Sequence, residues 1–81
     1  MKQVIYITSG CRDYQAFYTL KDENLELTND IWIEIIDIFL DECCVDPYKY
    51  LEFIGEDMYH AAEYLGFGGE YILHTIDLDE Y

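Results

Sequence analysis

Eighty-one residues give room for one domain, and at this length about 60 to 65% of the surface exposed by the unfolded chain is buried on folding. Eighteen Asp and Glu against four Lys and Arg leave a formal net charge of −14. That balance disfavours direct contact with nucleic acid or an anionic membrane, since no basic patch is there to neutralise phosphates. A hydrophobic fraction of 52% with 17% aromatics excludes a disordered acidic tail, because such tails are poor in aromatics.

Taken in chain order, Lys2 to Thr8 (K-Q-V-I-Y-I-T) is β-branched and aromatic at successive positions, as expected of an interior strand covered on both sides or of one flat face with Tyr6 at its edge. Ser9-Gly10-Cys11-Arg12-Asp13 is turn chemistry of hairpin length, and Tyr14 to Leu20 is expected to return as a second strand. After a further turn at Lys21-Asp22-Glu23-Asn24, Leu25-Glu26-Leu27 is read as a short third strand, the alternative being the approach to a helix.

That helix is predicted over residues 28 to 45. At about 100° per residue, Trp32, Ile35, Ile36, Phe39 and Cys43 share one side, while Asp30, Glu34, Asp37 and Asp41 fall on the other. Thr28 can cap its first turn and Leu27 can staple onto Trp32. Asp46-Pro47 reads as a second helix start, an acid at the cap followed by Pro where a missing N–H costs nothing. A second helix is therefore expected from Pro47 to Leu65, with Leu51, Ile54, Met58, Ala61, Ala62 and Leu65 on one face and Glu52, Glu56, Tyr59 and Glu63 on another. Gly55 kinks or splits it, and Gly66 is a natural residue to end it. Glu70 to Leu78 alternates as a last strand with Ile72, His74 and Ile76 on one side. The expected fold is α+β: a small antiparallel sheet of three or four strands with two helices packed on one face, in the order β-β-(β)-α-α-β.

The cysteines, Cys11, Cys43 and Cys44, are odd in number, and neighbours cannot bridge each other without strain, so a reducing cytoplasm is the expected compartment. No secretion signal opens the chain and no run approaches the 18 or so apolar residues of a membrane span. Lone His60 and His74 lack metal-ligand spacing, Gly66-Phe67-Gly68-Gly69 has no following Lys, and Asp77-x-Asp79 is too short for a calcium loop. No cofactor, metal or catalytic dyad is expected.

What remains is the acid itself. A net charge of about 2 to 8 in magnitude suffices for the solubility of a small domain, so the excess favours a binding use. Successive carboxylates on the first helix lie about 4.5 to 6 Å apart along the axis, sparser than the ~3.4 Å per strand of DNA phosphates but of the same order. A solvated helix face is the ordinary reading of such a run. Here almost no Lys or Arg is interleaved as an i, i+4 partner, which puts a charge decoy on an equal footing with it. The second stripe, with Asp22, Glu23, Glu42 and Asp57, can fill out the first, and Tyr48, Tyr50, Tyr59, Tyr64 and Tyr71 cluster on and just beyond the second helix, a residue type that meets Arg well at interfaces.

In size, charge and acidic helical faces the chain resembles the small acidic bacteriophage anti-CRISPR and antirestriction proteins. The likeness is one of type, carried by Asp30, Glu34, Asp37, Asp41 and Glu52, Glu56, Glu63. It implies a non-enzymatic inhibitor acting in the host cytoplasm, whose stripes and Tyr59 contact the basic nucleic-acid channel of a nuclease or CRISPR complex. A second reading is a small cytosolic adaptor or homodimer that uses an apolar helix flank at Ile33 and Ile38.

Overall fold

The computed structural model describes residues 2–40, 49–66 and 68–81. It is an α+β fold of strands β1 (Lys2–Ser9) and β2 (Tyr14–Leu20), helix α1 (Asn29–Leu40), strand β3 (Leu51–Gly55), helix α2 (Met58–Leu65), strand β4 (Tyr71–Asp77) and a closing 3₁₀ turn at Leu78–Glu80. The four strands form one sheet in the order β3-β2-β1-β4.

The hairpin of β1 and β2 is where the sequence places it. Ile5 pairs with Tyr18 and Ile7 with Ala16 across an antiparallel ladder. β1 is the covered interior strand, with Val4, Ile5 and Ile7 fully buried, and its hydrophobicity at consecutive positions follows from apolar cover on both faces. Asp13 supplies the tight return with a positive φ of 49°, a conformation Asp tolerates better than most residues.

Alternation along the strands assigns two cores. Ile5, Ile7, Ala16, Tyr18, Leu20, Leu51 and Ile76 pack with Ile35 and Ile36 of α1 on one face. Val4, Phe17 and Ile54 pack with Ala61 of α2 on the other. The helices therefore lie on opposite faces of the sheet instead of sharing one, because Leu51 and Ile54 of β3 point to different sides. Thr28 caps α1, its Oγ1 accepting from the Ile31 N–H at 3.4 Å, and Leu27 packs against the same cluster as Trp32.

Three further corrections concern the elements themselves. Leu51–Gly55 is a strand, not the first half of a long helix, so the third strand falls between the helices. Leu25 to Leu27 forms no strand; Leu25 and Leu27 instead lodge against the α1 core. The sheet is mixed, since β4 runs parallel to β1, with Ile7 beside Ile76 and Ile5 beside His74. Parallel neighbours need a crossover, and the α2 segment supplies it by carrying the chain from β3 at one edge to β4 at the other. The expected far end of the first helix, with Asp41, Cys43 and Cys44, and the expected start at Asp46-Pro47 lie outside the described residues.

Candidate partner-binding surface

The break at Gly55 decides where the acids go. A Cβ at Gly55 would come 2.7 Å from the Cβ of His60 and 3.2 Å from the Ala61 backbone N, so only a residue without a side chain lets α2 fold back this closely on β3. Two residues later Asp57 caps α2 in an extended conformation, its side chain accepting from the His60 N–H at 2.8 Å. Its other carboxylate oxygen lies 3.2 Å from His60 Nδ1.

Glu52, Glu56, Asp57, Tyr59 and Glu63 are consequently gathered on one strand–turn–helix unit, not on a single helical ridge. Glu52, Glu56 and Glu63 are exposed, Asp57 is half-buried at its cap, and Tyr59 is 66% exposed. Glu52 accepts a hydrogen bond from the Tyr64 hydroxyl, which raises the Tyr64 pKa by stabilising its neutral form.

The first stripe lies on α1, across the sheet. Asp30 and Asp37 are exposed there. Glu34 is engaged: Lys49 Nζ donates to it at 3.1 Å and the Tyr50 hydroxyl at 2.9 Å. These bonds, Lys49 first, hold the Glu34 carboxyl below its ordinary pKa, and the same contact raises that of Lys49. One of the four expected acids of the stripe is thus neutralised at home, and Asp41 lies outside the described residues. The two apolar flank residues separate likewise, Ile33 being 55% exposed and Ile38 8%.

The folded chain also assembles a recess that the sequence did not reveal. Asp13 and Tyr14 from the hairpin return, with Gln15 and Ala16, meet Phe53 and Glu56 around a cavity of about 270 Å³. Gln15 Nε2 donates to the Glu56 carbonyl at 2.7 Å and ties the two rims together. Phe53 remains 43% exposed and Tyr14 37%, so two rings and two carboxylates share one concavity next to the β3–α2 unit. Only Glu56 of this set was legible beforehand, since residues 13–14 and 53–56 meet through strand pairing. A second, smaller recess of about 110 Å³ is flanked by Lys2, Lys21, Glu23, Glu52 and Tyr64, with Lys2 Nζ 5.8 Å from the centre of the Tyr64 ring.

Among the described residues no group of His, Cys, Asp and Glu has the arrangement of a metal site, and no helix is long and apolar enough to cross a membrane. Cys11 is exposed with a free thiol. No family model matches the chain, and neither a curated protein nor a solved structure matches it.

Proposed function

We propose that the protein is a non-enzymatic acidic inhibitor that binds the basic, nucleic-acid-binding surface of another protein, in the manner of a nucleic-acid mimic directed at a defence nuclease or CRISPR complex. The observation that carries this is the β3–α2 edge: Glu52, Glu56 and Glu63 are exposed there and, among the described residues, form no ion pair with Lys or Arg. Lys49 is engaged by Glu34 on another part of the molecule. Glu56 and Glu63, exposed without a paired cation among the described residues, add self-repulsion that a cationic partner relieves, while Glu52 shares its recess with Lys2 and Lys21. Tyr59 adds a surface on which Arg side chains stack well, whereas the rings of Tyr14 and Phe53 contact Tyr18 and lie on the α1 face.

Because the two acid sets sit on opposite faces, one groove meets one set, and the β3–α2 edge is the better matched. The test is affinity capture from a bacterial lysate with salt-gradient elution, followed by charge reversal against whatever is retained. Glu56→Lys with Glu63→Lys should abolish capture while leaving the circular-dichroism spectrum unchanged, and Asp30→Lys with Asp37→Lys should leave capture largely intact. Binding should weaken steadily with salt and compete with duplex DNA. Retention by the Glu56 and Glu63 variant, or capture indifferent to salt, excludes this edge as the contact.

A further inference from the structure

The two edges of the sheet are built differently. β3 spans five residues, carries Glu52 at its second position, ends at Gly55 and is irregular where it meets Phe17 and Tyr18. Short length, an embedded charge and a bulge are the ordinary means by which proteins keep an edge from pairing. β4 has none of them. It is a seven-residue strand, and Tyr71 to Ile76 (Y-I-L-H-T-I) contains no charge, no Pro and no Gly. In composition it matches β1 and β2, the two interior strands, yet among the described residues it pairs with β1 on one side only. Ile72 is 45% exposed on the α1 face and Leu73 47% exposed on the α2 face, so neither helix completes the cover of this strand.

We propose that β4 is an interior strand of a homodimer, pairing antiparallel with β4 of a second copy about a two-fold axis at His74, so that two four-stranded sheets become one of eight. The strand's own sequence is complementary to itself in this pairing, and charge sets the register. In this arrangement Ile72 faces Ile76 of the other chain, Leu73 faces Thr75, and Tyr71 faces Asp77, whose carboxylate can accept from the tyrosine hydroxyl. No carboxylate stands opposite another, whereas a shift that brought Glu70 opposite Asp77 would oppose like charges. Each opposed pair shares a face, so the cover that Ile72 and Leu73 lack comes from the partner strand. The β3–α2 edges remain free at the two far ends, so the dimer does not depend on the inhibitor reading.

Two acidic chains repel at long range, and the charges within the paired strands are the two Asp77 carboxylates at the ends, each opposite a tyrosine. Association should therefore strengthen with salt, the opposite of the dependence expected for a basic partner. Sedimentation equilibrium over a range of concentrations, at about 0.1 and about 1 M salt where screening lengths are ~10 and ~3 Å, should show a monomer–dimer equilibrium shifted to dimer at high salt. Leu73→Glu enters twice by symmetry and should weaken the dimer by about tenfold or more. Hydrogen exchange on the unaltered protein gives an independent reading: the outward amides of residues 71–77 should slow as the dimer forms. A monomer under every condition, association weakened by salt, or a dimer whose β4 amides exchange as freely as in the monomer overturns the proposal.

Discussion

Asp79 shows how one carboxylate closes this fold. It accepts from Ser9 Oγ at 2.7 Å, from the Gly10 N–H at 2.8 Å and from the Cys11 N–H at 3.2 Å, tying the C-terminal turn to the β1–β2 return. Ser9 is itself 1% exposed, so its hydroxyl needs this partner. The Ser9 bond, followed by the backbone bonds, lowers the Asp79 pKa below its ordinary 3.8. A carboxyl with a depressed folded-state pKa stabilises fully above its unfolded value and loses that contribution as pH falls through the folded one. Asp79→Asn should therefore lower the melting temperature at neutral pH, and its deficit against the unaltered protein should shrink to nothing as pH drops well below 3.8. A deficit that persists undiminished in acid would show that charge is not what the site uses. Gly55 is the second decisive residue. With the His60 Cβ 2.7 Å from where its own would stand, Gly55→Ala should destabilise by about 1 to 3 kcal/mol, the usual cost of forcing atoms into a packed site, as read from urea unfolding.

Among the elements, β1, β2, β4 and the start of α1 were legible because their signals are local. The hairpin return, the Thr28 cap and the alternation of Ile72, His74 and Ile76 each lie within a few residues of what they determine. β3 was not. A strand between helices on both faces buries residues on both, so Leu51 and Ile54 point to opposite cores, and that pair, three apart, mimics a helical stripe running on into Met58 and Ala61. The parallel partnership of β4 with β1 joins residues about seventy apart and leaves no local trace. The candidate surface shared this fate: its acids were recognisable by type and Gly55 was marked as a point of kink or split, yet their grouping hinged on the residues before Gly55 being a strand and not a helix. What starts α2 afresh after that break is the Asp57 cap, and Asp57→Ala should cost about 0.5 to 2 kcal/mol. Helix-specific hydrogen exchange over residues 58–65 should rise before the β1–β2 amides are affected, since α2 buries only Ala61 deeply.

At the scale of the whole molecule, stability and charge oppose each other. The cores are small, with Ile5, Ile7, Ile35, Leu51 and Ile76 the largest fully buried side chains among the described residues, and a net charge of −14 acts against compaction throughout. Truncation of the central residue should be severe: Ile5→Ala, at a site with no exposure, is expected to cost about 2 to 5 kcal/mol, a large share of the ~5 to 15 kcal/mol typical of a domain. Relief of repulsion should act in the other direction. Local ion pairs such as Lys49–Glu34 are exposed and weaken with salt, but the sum of repulsions among eighteen acids weakens more, because it is the larger and longer-ranged term. The melting temperature should therefore climb as sodium chloride is raised from about 0.1 to 1 M, and it should do so for Leu73→Glu as well, in which the dimer is weakened. That variant separates the two effects of salt. If its melting temperature climbs as the unaltered protein's does, screening within each chain is responsible; if only the unaltered protein gains, the added stability comes from pairing at β4, because a ligand that binds the folded state alone stabilises it by mass action.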